Sequence, residues 1–165
     1  MQNINFKYPD TKAFEFVVDQ LKKRGVTIDD LVNLTFKMQE EFIPNLTHDE
    51  CREAVIDVMH KREFLNNAMV GLELDRLTEE NKVAQPLADI IKNDAGVFGV
   101  DEALALQIAE LYGTIGVTNF GYLDRVKSGI IKEFDTDGHH VNTFIDDLLG
   151  AIVAAACGKL AHQEA

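Results

Sequence analysis

Apolar residues recur at three- and four-residue spacing along nearly this whole chain, and no stretch sustains the two-residue alternation of a half-buried strand. Helix start signals reinforce the pattern. "TIDD" places Thr27 as an N-cap with Asp30 at the answering position of a capping box, and "THDE" repeats the device with Thr47 and Glu50. Ahead of the first box, Phe14, Val17, Val18 and Leu21 form a stripe that stops at Gly25; behind it, Leu31, Leu34, Met38 and Phe42 form another that ends at Pro44. Behind the second box, Cys51, Val55, Val58 and Met59 lead on toward Leu74 and Leu77 as one long helix, with Asn66-Asn67 or Gly71 as its break points. Pro86 opens a short helix, "PLADIIKND". The expected fold is all-α, a single globular domain of about seven to eight helices over residues 1–165. Residues 1–95 supply the N-terminal helices and residues 96–162 the motif-bearing ones.

The second part differs in composition. "VDEALALQIAELYG" is apolar almost all round, broken by Gln107 and Glu110, which predicts a central helix. "GVTNFGYLDRVKSGIIKEFD" reads as two short helices meeting near Ser128-Gly129, "DTDGHHVN" as a loop, and Thr143 as the start of the last helix. That helix, "TFIDDLLGAIVAAACGKLA", sets Asp146 and Asp147 directly ahead of a ten-residue apolar run, Leu148 to Cys157. Buried carboxylates cost several kcal/mol unless paired, hydrogen-bonded or bound to a cation.

Helical geometry says where these acids point. The face below Asp147 carries Gly150, Ala151, Ala154 and Gly158; the face below Glu102 carries Ala105, Ala109 and Gly113. Two acid pairs, Asp101-Glu102 and Asp146-Asp147, thus head helices with small-residue faces. Packing of those faces would bring four carboxylates to one end, with Gly150 at the close contact, and such a cluster suits Mg²⁺. Read singly, each pair is at least as well explained by capping: acids are favoured in a first helical turn, Asp101 is an acceptable N-cap, and Asp146 answers Thr143 across a T-x-x-D box. Capping leaves Asp147 unexplained. Asp124, in "NFGYLDRVKSG", is uninformative alone beside Arg125 and Lys127.

Charge narrows the partners. Sixteen basic against 28 acidic residues give a net charge of −12, a poor surface for nucleic acid and a better one for cations. No apolar run approaches the roughly 18 residues of a membrane span. The opening MQNINFKYPD has no basic-then-apolar leader pattern, and Cys51 and Cys157 lack a CxxC partner, so a cytoplasmic protein is expected.

In this order, "GVDEALALQI", "FGYLDRVKSGIIKEFD" and "HHVNTFIDDLLGAIVAA" resemble the phosphatidylglycerophosphatase A family, whose members carry an apolar-DE motif, an F-R-x-x-D-x-x-K-P segment and a glycine-rich turn leading to I-M-x-D-D and a small-residue helix. The resemblance covers about Val100 to Cys157. "KKRGVTIDDLV" and "KREFLNNAMVGLELDRL" look like the YutG-like branch, which lacks membrane spans. The resemblance implies a Mg²⁺-dependent phosphatase that removes the terminal phosphate of phosphatidylglycerophosphate. By position it makes Asp101, Glu102, Asp124, Asp146 and Asp147 metal-binding or catalytic acids, with Asp101, Glu102, Asp146 and Asp147 on the ion, and makes Lys127 a phosphate contact. The family arginine falls on Gly121, its prolines on Ser128 and Ile130, and two turn glycines on His139 and His140.

Two rival readings stand beside this one: a phosphatase or pyrophosphatase acting on a small phosphoester, and a non-enzymatic helical oligomer whose acids only cap helices. Homo-oligomerisation and transient contact with a membrane surface are compatible with each enzymatic reading. Other signals are weaker. "EFDTDGHH" puts Glu133, Asp135, Asp137 and Gly138 at Ca²⁺-loop offsets, but the twelfth position is Phe144 where a Glu is needed. His139 and His140 fit a solvated loop better than a proton donor, and His48-Asp49 doubles as part of a capping box.

Overall fold

A computed structural model describes residues 5–164; residues 1–4, part of the stretch read as lacking a leader, lie outside them. The helices are α1 (Asp10–Lys23), α2 (Ile28–Gln39), α3 (His48–Met59), α4 (Arg62–Glu79), α5 (Leu87–Lys92), α6 (Val100–Ala109), α7 (Thr114–Val126), α8 (Ile130–Thr136) and α9 (Ile145–Gln163), with a 3₁₀ turn at Glu110–Tyr112. The described residues form one all-α domain without a strand.

Both capping boxes form. The Thr27 and Thr47 amides donate to Asp30 and Glu50 at 2.8 Å, and the two threonine hydroxyls accept in return from the Asp30 and Glu50 amides. α1 gives way to Gly25 at φ +83°. The helix expected to run from Thr47 past Gly71 is instead two, broken at His60-Lys61. Neither residue is a helix breaker; the cause is tertiary. His60 stacks on Phe14 of α1 with ring centroids 4.1 Å apart, and Arg62 pairs with Asp10 of α1 through two bonds of 2.7 and 2.8 Å. Both contacts turn the chain so that α4 runs along α1. Asn67 and Gly71 sit inside α4, where Asn67 donates to the Gln107 side chain at 2.6 Å and a Cβ on Gly71 would press at 3.0 Å on Phe144 and Leu148. Phe42 is 75% exposed, because α2 stops at Gln39 and the chain turns; Ile43 goes inside in its place.

The central helix is α9, not α6. Every residue from Leu148 to Gly158 is buried, under α2, α3, α4, α6, α7 and α8. α6 buries one face, with Ala105, Ile108 and Ala109 inside and Val100 and Leu106 outside. Small residues decide how close its neighbours come. A close backbone approach joins Gly116 of α7 to Gly158 of α9, where a Cβ on Gly158 would stand 3.2 Å from the Gly116 nitrogen. A Cβ on Gly150 would meet only Phe120 and Ile131 side chains at 3.6 Å or more, so the expected close backbone contact lies two turns further along, and on α7.

Candidate functional site

The heads of α6 and α9 lie side by side because α6 packs along α9. In each, an acid pair occupies the second and third helical positions: Asp101-Glu102 behind Gly99, and Asp146-Asp147 behind Phe144. Neither helix has a side-chain N-cap. Asp101 is therefore not an N-cap, and the T-x-x-D box does not form. The Thr143 hydroxyl donates instead to the Ile91 carbonyl at 2.6 Å, while Asp146 turns to Lys127.

Between the two heads opens a cleft of about 120 Å³. All six sequence-predicted residues, Asp101, Glu102, Asp124, Lys127, Asp146 and Asp147, line it. Asp94 and Asp135 join them, so seven carboxylates face one ammonium group. Sequence reading missed both. Asp94 follows α5 in a left-handed turn (φ +44°), which looks like an ordinary helix stop, and Asp135 belonged to the discarded Ca²⁺-loop pattern. His139 and His140 do not line the cleft, and His140 pairs with Glu79 at 2.9 Å.

Lys127 organises the acids. It ends α7 in the left-handed region (φ +43°), and its Nζ lies 2.8 Å from Asp124, 3.1 Å from Asp146, 3.7 Å from Asp135 and 3.9 Å from Asp147. Burial alone would pull this amine down; the bonds and charges of Asp124 and Asp146 outweigh it and hold the group above its usual range. Burial pushes Asp147 up to about 8, helped by the neighbouring charge of Asp146 and opposed by Lys127. Burial likewise raises Asp146 against the pull of Lys127, and raises Asp94 with help from Asp101. One lysine does not neutralise the cleft.

Among the described residues no group of three or more His, Cys, Asp or Glu side chains is arranged to hold a metal ion. The donor set nonetheless fits a hard divalent cation. It is all oxygen, it carries excess negative charge, and the buried Oδ1 of Asp101 has no hydrogen-bond partner.

The model of the family described as phosphatidylglycerophosphatase A matches residues 16–162. The chain belongs to the phosphatidylglycerophosphatase A family. The match reaches well beyond the C-terminal motifs and runs from within α1 to the last turn of α9. Relatives include the Bacillus subtilis (strain 168) proteins YutG, 44% identical over 98% of this chain and 96% of its own, and YpjQ, 42% identical over 94% and 88%; both are described as uncharacterized. The fold is shared with the low temperature requirement C protein of Listeria monocytogenes, at TM-score 0.88 and 44% identity over 92% of this chain and 96% of that one. Among the described residues of this family member, no helix is long and apolar enough to cross a membrane.

Proposed function

We propose that this chain is a Mg²⁺-dependent phosphatase that hydrolyses a phosphomonoester, the terminal phosphate of phosphatidylglycerophosphate, to leave phosphatidylglycerol. The observation that carries this reading is the gathering of seven carboxylates and Lys127 from five separate segments into one cleft. Asp101, Glu102, Asp146 and Asp147 would hold the ion, with Asp94 near enough to share its field. When bound, Mg²⁺ supplies neutralisation and polarisation of the phosphate. Lys127, steadied by Asp124, contacts the phosphate oxygens and balances charge as the ester bond breaks. A cleft carboxylate takes a proton from the attacking water as its oxygen bonds to phosphorus, and passes that proton to the leaving alkoxide as the ester P–O bond breaks.

The runner-up is a phosphatase acting on a small phosphoester. A net charge of −12 favours it, since such a surface is repelled by anionic lipid. In either case we place the protein in the cytoplasm, meeting lipid only at a membrane surface. Phosphate release separates the readings when measured with and without Mg²⁺ on phosphatidylglycerophosphate in mixed micelles, on glycerol 3-phosphate and on pyrophosphate. Mg²⁺-dependent release from the lipid is expected. Release from the small esters alone supports the runner-up, and none from any substrate leaves a non-enzymatic helical oligomer.

A further inference from the structure

In α2 and α3 the acid at the third helical position folds back to accept the N-cap amide: Asp30 from Thr27, and Glu50 from Thr47. In α9 that position is Asp147, and the corresponding amide is Phe144's. Asp147 does not take it. Asp75, 1% exposed on α4, takes it instead: Phe144 N–H donates to its two oxygens at 3.2 and 3.1 Å, and Ile145 N–H donates to Oδ2 at 3.0 Å. A helix head leaves its first amides without intrahelical partners, so some acceptor must serve them. Here it comes from 69 and 70 residues away along the chain. The strap before it is tied to the same side, where Arg24 donates to the Val141 carbonyl at 3.1 Å and Thr143 to that of Ile91.

We infer that Asp75 is a positioning residue for the cleft: by capping α9 in trans, it releases Asp147, and Asp146 beside it, from local capping to face Lys127 and a bound cation. This rests on the ion site proposed above. Without Asp75, the Phe144 and Ile145 amides lose their acceptor, and Asp147, at the third helical position of the same helix, would turn back toward them. The cleft would lose a ligand although α9 stayed folded.

The probe is Mn²⁺, titrated by electron paramagnetic resonance on the full chain without substrate, so the readout is independent of turnover. Asp75→Ala is expected to weaken Mn²⁺ by about 10–100-fold, the usual cost of losing the group that orients a ligand. Asp75→Glu should recover part of the loss. Combining Asp75→Ala with Asp147→Asn should weaken binding little more than Asp147→Asn alone, because both changes remove one ligand. Asp75→Asn, which keeps the shape and one acceptor oxygen, covers the case in which the alanine variant fails to fold; it is expected to fall between wild type and alanine. Variants with a lower Tm but wild-type Mn²⁺ affinity, or losses that add in the double variant, overturn the inference. If wild type binds no Mn²⁺, the ion site and this inference fail together. If wild type binds Mn²⁺ and releases phosphate from no substrate, the phosphatase reading fails alone.

Discussion

The Lys127 ammonium lies 3.1 Å from the Asp146 carboxylate, joining the end of α7 to the head of α9 across the cleft. With Lys127 22% exposed and the Asp146 side chain 13%, water screens this pair weakly. Lys127 is thus the internal counter-ion of the site.

Replacing it exposes that role. Lys127→Met leaves four nearby acids without their counter-charge, and the metal-free protein should lose about 2–3 kcal/mol, somewhat below the cost of breaking a fully buried pair. Millimolar Mg²⁺ should restore much of that loss while phosphate release stays absent. Paired melting curves with and without Mg²⁺ check it; equal losses in both conditions would detach Lys127 from the ion site.

Asp147 predicts a pH dependence. Its folded value of about 8 lies above the ordinary aspartate value of 3.8, so the native state holds a proton that the unfolded chain gives up between those limits. Stability of the metal-free protein should therefore fall as pH rises from about 4 to about 8. Asp147→Asn should flatten that slope, leave the protein at least as stable at pH 8, and weaken Mg²⁺ binding by about 10–100-fold. A variant that melts earlier at every pH yet binds Mg²⁺ normally would make "IDD" scaffolding.

The glycines should rank by what their added carbon meets. Gly116→Ala drives a carbon to 2.0 Å from the Ala109 carbonyl oxygen, and the protein is expected to fold poorly or not at all. Gly158→Ala meets backbone at 3.2 Å and should cost about 1–3 kcal/mol. Gly150→Ala has ordinary contacts only, so it should be neutral or stabilise by up to about 1 kcal/mol through helix propensity. Gly150→Leu should still collide with Phe120. Urea melts of the four variants test the order.

No residue of the two capping boxes lines the cleft, so they should act independently of it. Thr27→Ala and Thr47→Ala are each expected to cost about 1 kcal/mol, additively, without changing Mn²⁺ affinity. A change in affinity would tie α2 or α3 to the site.

The helices, their caps at Thr27 and Thr47 and the two acid pairs were legible in the sequence because each depends on groups three or four residues apart. The motif order from Asp101 through Asp124 and Lys127 to Asp147 also named six residues that the fold brings to one cleft. Other features needed the tertiary structure. The break at His60-Lys61 depends on Phe14 and Asp10, in another helix. The centre went to α9 rather than α6 because six other α-helices pack around it, which no single helix's composition reveals. Asp94 and Asp135 reach the cleft only because α5 and α8 end beside it. Asp147 escapes the capping role that its position invites because Asp75, 69 residues from Phe144, accepts that amide first. Local hydrogen bonding is written in a window of about four residues; an acceptor delivered by packing is not.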